Sequence, residues 1–136
     1  MKKYISLFIC LTIISCKTKV EKRNPSIHTK WMLIQFKDFQ KQKIMDKNCY
    51  LDLTNKENSS AKMGCNDLGF RYILSSNNKI EFGLGRTTYM YCEDHDIESE
   101  FLNIVNSIES YKIQGHKLYL KTKTNGDLIF VAEDWD

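Results

Sequence analysis

The alternation of hydrophobic and polar residues predicts a series of short β-strands from residue 30 onward. Apolar side chains recur at every second position, or form short runs, in segments bounded by polar turn residues. Three connections, at 76–78, 114–115 and 125–126, contain residues that tolerate the positive φ of tight hairpins. We therefore expect neighbouring strands to pair antiparallel. The predicted strands are Lys30–Phe36, Cys49–Leu53, Ala61–Met63, Phe70–Leu74, Ile80–Phe82, Tyr111–Ile113, Leu118–Thr122 and Leu128–Ala132.

One segment has a different period and predicts a helix from about residue 96 to residue 110. Asp94 or Asp96 is a candidate N-cap, and Glu98 and Glu100 lie near the positive end of the helix dipole. The expected fold is α+β but mostly β, a curved antiparallel sheet or small barrel closed by one amphipathic helix. Spacings of three and four place five apolar residues on one face of this helix: Ile97, Phe101, Ile104, Val105 and Ile108.

The first fifteen residues have the pattern of an export signal. Lys2 and Lys3 precede an apolar run that is too short to span a bilayer of ~30 Å. The run ends in Ile13-Ile14-Ser15-Cys16, which resembles the lipobox of bacterial lipoproteins. The resemblance implies cleavage before Cys16 and acylation of this residue by several chains, which anchor a protein more stably than one chain does. The alternative is an unmodified Cys16 in an ordinary signal peptide.

These patterns divide the chain into a signal peptide at 1–15, a lipidated cysteine with a polar tether at 16–30, one domain at 31–132 and a tail at 133–136. Removing the signal peptide takes away two lysines and no acids, so Lys+Arg falls from 20 to 18 against 17 Asp+Glu. The mature chain therefore lacks the strongly basic balance expected of a nucleic-acid-binding protein. The basic residues of the tether either rest on anionic lipid headgroups or form a solvated linker.

Three cysteines remain in the exported domain, a location in which disulfides form. Cys49 shares a strand face with Leu51 and Leu53, so we expect it inside as a small apolar side chain. Cys65 ends a strand and Cys92 precedes the helix, so both lie where connections converge. We expect a Cys65–Cys92 disulfide and a free, buried Cys49. The alternative is that Cys65 and Cys92 are reduced and packed in the core.

Two motifs in this order resemble the META-domain family of HslJ-like lipoproteins. They are Gly64-Cys65-Asn66 and Thr88-Tyr89-Met90-Tyr91-Cys92, and the predicted helix follows them. The resemblance runs from Trp31 to Phe130 and departs from the family pattern at Asp67-Leu68, where a basic or aromatic pair is usual, and at Cys49. It implies a lipocalin-like β-barrel of about eight short strands with a helix, an envelope location, and links to heat shock and antibiotic tolerance. It implies no established reaction.

The motif residues have two interpretations. In the first they serve only the loops, because Gly64 accepts a strained φ, the Asn66 side chain can bond the backbone two residues on, and the threonines can bond nearby backbone. In the second the same loops form a binding rim. The residues concerned are Gly64, Cys65, Asn66, Thr88, Met90 and Cys92.

Candidate chemistry elsewhere is weak. The segment Cys92–Asp96 contains residue types that bind zinc, but no second Cys/His pair lies at ligand spacing, so we expect no metal and no cofactor. His28 in the tether and His116 in a turn are expected to be solvated. The chain lacks the Gly-x-Ser-x-Gly, glycine-rich phosphate-loop and His-Glu-x-x-His motifs, so we expect no enzymatic activity.

The expected function is that of a membrane-anchored envelope lipoprotein with a non-catalytic stress or protein-interaction module. Its partners would be membrane lipid, through Cys16, and an envelope protein, and Lys17 is compatible with sorting to an outer membrane where the cell has one. The alternatives are an inhibitor of an envelope hydrolase and a barrel that carries a small apolar ligand, which would need an unfilled interior. Five large side chains are expected to fill the interior: Trp31, Phe82, Phe101, Tyr119 and Phe130.

Overall fold

The strands close into an eight-stranded antiparallel barrel in the computed structural model, which describes residues 25–124 and 126–135. Each strand pairs with its neighbours in the sequence, and β1 pairs with β8 to complete the circle. The expected fold class is therefore confirmed. The strands are β1 Lys30–Phe36, β2 Tyr50–Asp52, β3 Ser59–Lys62, β4 Asp67–Ser75, β5 Lys79–Thr87, β6 Ile108–Gln114, β7 Lys117–Thr122 and β8 Leu128–Ala132.

Alternating side chains of the strands, together with Phe101 from a helix, fill the barrel. Trp31, Phe101 and Phe130 are each at most 1% exposed, and Phe82 is also buried. Tyr119 does not join them, contrary to the expectation from sequence. It lies between the inward-facing Leu118 and Leu120 on β7, so the period of two turns it outward.

A helix, α2 (Asp96–Ile104), closes one end of the barrel, and all five residues of its predicted apolar stripe are buried. It ends earlier than predicted, because Val105–Ser107 tighten into a 3₁₀ turn and residue 108 already belongs to β6. The predicted N-cap is wrong. His95 holds that position without a side-chain hydrogen bond, and Asp94 and Asp96 instead form ion pairs with lysines.

A second helix, α1 (Lys41–Asp46), connects β1 to β2 and was not predicted. It has six residues, of which Ile44 is buried, so it is too short to carry a recognisable apolar stripe. Its Lys43 pairs with Asp94 and Asp96 across the end of the barrel. No helix within the described residues is long and apolar enough to cross a membrane.

The packed structure extends beyond the 31–132 range predicted for the domain. Ile27 is buried, and its carbonyl oxygen accepts a hydrogen bond from Trp31 Nε1 at 3.0 Å. At the other terminus, the Trp135 ring stacks on His116 with 4.4 Å between the ring centroids. Residues 27–30 and 133–135, assigned from sequence to the tether and the tail, therefore contact the barrel.

His28 is exposed and His116 is half-buried, and each has a side-chain contact that the sequence did not predict. Besides the His116 stack, His28 Nδ1 lies 2.5 Å from Tyr72 Oη, which donates to the Leu53 carbonyl oxygen at 2.8 Å. The Tyr72 hydroxyl has one proton and donates it to Leu53. The contact with His28 is therefore a hydrogen bond when His28 Nδ1 is protonated and donates to Tyr72 Oη. Burial raises the pKa of Tyr72 to about 12.

The connections divide between the two ends of the barrel. The helical end carries α1, α2 and the loop after β3, and the hairpin end carries the β4–β5 and β6–β7 turns and both termini of the described chain. Asn77, Asn78 and Gly115 have positive φ, as predicted for these turns. In the predicted 125–126 turn, Asn125 lies outside the described residues.

Candidate functional site

The two family motifs meet at the helical end around a disulfide. Cys65 and Cys92 are bonded, with 6.0 Å between their Cα atoms, and Cys49 is free and buried. The structure thus contains the predicted pairing. Cys16, the predicted lipidation site, lies outside the described residues.

The Asn66 side chain joins the two motifs to each other and to α2. Its Oδ1 accepts hydrogen bonds from the Met90 backbone N–H at 2.7 Å and from Thr88 Oγ1 at 2.9 Å. Its Nδ2 donates to Glu98 Oε1 at 2.8 Å. These partners are distant in sequence, whereas sequence reasoning had expected Asn66 to bond within its own loop.

Glu98 is a site residue whose role sequence reasoning missed. Its carboxylate is buried and accepts a bond from the Asn66 backbone N–H at 2.5 Å, in addition to the bond from Asn66 Nδ2. The helix dipole accounts for an acid in the first turn but not for a buried one. Its position three residues before Phe101 was the available signal, because that spacing places it on the buried face of the helix.

The second motif forms an exposed loop, Thr88–Cys92, which we call the aromatic loop. Tyr89 and Tyr91 are 95% and 94% exposed, and Met90 is 52% exposed. Three contacts hold this loop against the barrel. Met90 N–H donates to Asn66 Oδ1, Thr88 Oγ1 accepts from Asp67 N–H at 3.0 Å, and Cys92 is in the disulfide. A fixed backbone therefore presents two tyrosine rings to solvent.

Gly64 is required by its surroundings. Its φ of +105° is unfavourable for other residues, and a Cβ there would lie 2.7 Å from Lys47 Cδ. Lys47 Nζ in turn donates to the Asp94 carbonyl oxygen at 2.7 Å. Close packing against Gly64 therefore positions Lys47, which binds the segment before α2 through this hydrogen bond.

The residues considered for a zinc site have other partners. The Cys92 sulfur is in the disulfide, and Lys43 Nζ lies 3.1 Å from Asp94 and 2.5 Å from Asp96. The hydrogen bond from Lys43 lowers the pKa of Asp94 to about 2. His95 Nδ1 lies 3.1 Å from the Cys92 carbonyl oxygen. The acids thus link α1 to the start of α2.

The fold is similar to two solved structures. A protein from Burkholderia xenovorans, solved by NMR, is 23% identical with a TM-score of 0.64, over 79% of this chain and 83% of that one. A crystallised DUF4847-family protein from Bacteroides vulgatus is 10% identical with a TM-score of 0.61, over 80% of this chain and 94% of that one. At these identities the likeness concerns the fold alone.

No curated protein sequence matches the chain. The META-domain family model matches residues 24–135, which include both motifs, α2 and every strand of the barrel. The chain belongs to the META-domain family.

Proposed function

We propose that this protein is a lipid-anchored, non-catalytic envelope module that binds another envelope protein through its aromatic loop. The observation that carries the proposal is the near-complete exposure of Tyr89 and Tyr91 on a fixed main chain. Tyrosine and methionine are enriched at protein interfaces, where aromatic anchors supply much of the binding energy. A loop that is already ordered loses little conformational entropy on binding.

The position of the aromatic loop supports a protein partner over a lipid surface. β1 begins at the hairpin end, so a tether from Cys16 would enter the domain there. The aromatic loop lies at the opposite, helical end, because it follows β5, which runs parallel to β1 in the barrel order. An anchored domain would then direct Tyr89 and Tyr91 away from its own membrane.

The filled barrel favours this proposal over a carrier of a small apolar ligand. Trp31, Leu51, Phe101 and Phe130 are each at most 1% exposed and belong to one continuous core. A carrier barrel needs interior space that its own side chains leave empty. An envelope-stress role and inhibition of an envelope hydrolase are both compatible with an exposed, rigid loop. The proposal also includes sorting of the lipid-anchored protein to an outer membrane.

The anchor is tested by Cys16→Ala in the full-length protein. We expect loss of palmitate labelling and of membrane fractionation, because both need the acylated cysteine. Cys49→Ala is the matched control and should keep both properties, since Cys49 is buried in the barrel. Palmitate labelling that persists in Cys16→Ala would disprove the anchor.

The binding loop is tested by crosslinking in intact envelopes with a Tyr89→Ser/Tyr91→Ser double variant. We expect the variant to lose a discrete crosslinked protein while its denaturant midpoint stays unchanged, because both side chains are exposed. Ile73→Ser removes another exposed apolar side chain, 63% exposed on β4, and should keep the crosslink. Retention of the same crosslinked protein by the double variant would contradict the proposal.

A further inference from the structure

A polar depression of about 560 Å³ lies on the outer face of the barrel over β2, β3 and β4. Ser60 lies at the middle of its floor, opposite Asp52 on β2 and Gly69 on β4 in the strand register. The residues on either side of Ser60 in β3 are buried, so the period of two turns Ser60 outward. The floor of the depression is therefore a small hydroxyl side chain beside a glycine.

Arg86 on β5 forms one wall of this depression. Its register partner is Gly69, and a Cβ added to Gly69 would lie 2.9 Å from Arg86 Cγ and 3.0 Å from Arg86 Nε. The arginine side chain therefore lies across the glycine, and its Nη2 donates to Asn58 Oδ1 at 3.3 Å. Gly69 allows this close approach, because a larger residue would displace the guanidinium.

The opposite wall is the connection between β2 and β3, which is held by its own side chains. Asp52 Oδ1 accepts hydrogen bonds from Thr54 N–H at 3.0 Å and from Thr54 Oγ1 at 2.6 Å. Asn55 Oδ1 accepts a bond from the Glu57 N–H at 2.9 Å. These bonds order the loop before any ligand arrives, so binding against it loses little conformational entropy.

Several hydrogen-bonding groups of the depression have no partner among the described residues. They are Ser60 Oγ and the amide nitrogens Asn55 Nδ2 and Asn58 Nδ2. In the same part of the chain, Arg86 donates through Nη2 only, and one oxygen of the Asp52 carboxylate accepts no bond. The depression therefore presents both donors and acceptors at fixed positions.

The composition of the lining argues against ions, lipids and apolar peptides as ligands. Asp67 pairs with Lys62 at 3.8 Å, which leaves the opposite charges of Asp52 and Arg86 to balance each other. Of the described residues that line the depression, only Leu68 has an apolar side chain, and it is 1% exposed. An apolar group would therefore find little surface to bury. A neutral ligand dense in hydroxyl groups satisfies both conditions.

We propose that this depression binds a neutral saccharide, whose hydroxyl groups bond Asp52, Asn58 and Arg86. The carboxylate accepts from hydroxyl groups, and the amide and guanidinium N–H groups donate to hydroxyl oxygens. The small side chain of Ser60 leaves room for a sugar ring against the sheet. This site needs no protein partner, so the inference goes beyond the proposed function and stands or fails separately from it.

The probes are two neutral trisaccharides, cellotriose and triacetylchitotriose, titrated into the isotope-labelled full-length protein in detergent and followed by amide NMR shifts. We expect saturable binding of at least one, with a Kd on the order of 1 mM and shifts at residues 52–60 and 86–88. Arg86→Gln should weaken binding by about tenfold, because it removes hydrogen bonds from a charged donor. Arg71→Gln is the matched control, since Arg71 lies on the same outer face but does not line the depression, and it should leave the Kd unchanged.

Two further variants test the shape of the site. Ser60→Leu should abolish binding by filling the floor, and Gly69→Ala should weaken it by displacing Arg86 while the guanidinium is still present. Urea midpoints equal to that of the parent show that each variant is folded. Absence of saturable shifts with both trisaccharides up to ~20 mM would overturn the proposal. Equal weakening by Arg71→Gln and Arg86→Gln, or full binding by Ser60→Leu, would also overturn it.

Discussion

The buried thiol of Cys49 illustrates how the fold controls chemistry at the scale of one residue. It is 1% exposed on the inner face near β2, and burial raises its pKa from 9.0 to about 11. The thiolate is the reactive form of cysteine. At pH 8 roughly one thiol in a thousand would be ionised at such a pKa, and packing blocks access to it.

We expect iodoacetamide at pH 8 to leave Cys49 unmodified in the native protein and to modify it once denaturant opens the barrel. The pKa of Cys49 is higher in the folded chain than in the unfolded chain. Its contribution to the free energy of unfolding is therefore complete below about pH 9 and is lost as the pH rises towards 11. Mass spectrometry of non-reduced digests measures the labelling. Rapid labelling of the native protein at pH 8 would show that the site is accessible.

At the scale of elements, α2 is the piece that closes the barrel. Its residues Ile97, Phe101 and Ile104 are buried, and the 3₁₀ turn adds Val105. The stripe therefore contributes to the same core as the strands. The helix also contributes Glu98, so it carries both packing and the hydrogen bonds that hold the first motif.

Phe101→Ala should lower the free energy of unfolding by ~3–5 kcal/mol, the usual cost of emptying a large core site. Urea unfolding measures the change. Asn103→Ala on the exposed side of the same helix should alter stability by ~0.5 kcal/mol or less. A loss below ~1 kcal/mol for Phe101→Ala would mean that the helix contributes little to the core.

For the whole molecule, the disulfide connects the loop after β3 to the segment before α2. It joins residues 27 positions apart and lies beneath the aromatic loop. Breaking the disulfide increases the conformational entropy of the unfolded chain. In the folded chain it removes one of the contacts that hold the aromatic loop. Stability and the presentation of Tyr89 and Tyr91 are therefore linked through this bond.

Cys65→Ala/Cys92→Ala should lower the free energy of unfolding by roughly 2–4 kcal/mol, the usual range for a native bridge, and should speed amide exchange in the aromatic loop. Guanidinium unfolding and hydrogen-exchange mass spectrometry measure the two effects. Dithiothreitol should produce a similar loss in the parent protein and none in the double variant. Equal stability of the parent with and without reductant would show that the bridge does not stabilise the fold.

The sequence by itself determined the features that depend on local periodicity and on residue type. Alternation located all eight strands, because the period of two assigns each side chain to a face regardless of which strand lies beside it. It underestimated the length of β4 and β5, which have nine residues each. The helical stripe likewise predicted the buried apolar residues of α2, although not the buried Glu98. The face that Cys49 shares with Leu51 predicted a free, buried thiol. The sequence left two states open for Cys65 and Cys92, and the structure contains the disulfide.

The tertiary structure alone decided the contacts between residues far apart in the chain. Closure of β1 on β8 and the bonds from Asn66 to Glu98, 32 residues away, depend on how the elements pack. The early end of α2 has the same origin, since residue 108 gains strand hydrogen bonds with β7 instead of continuing the helix. Periodicity records which face of an element is apolar, but it carries no information on which distant polar group will meet it.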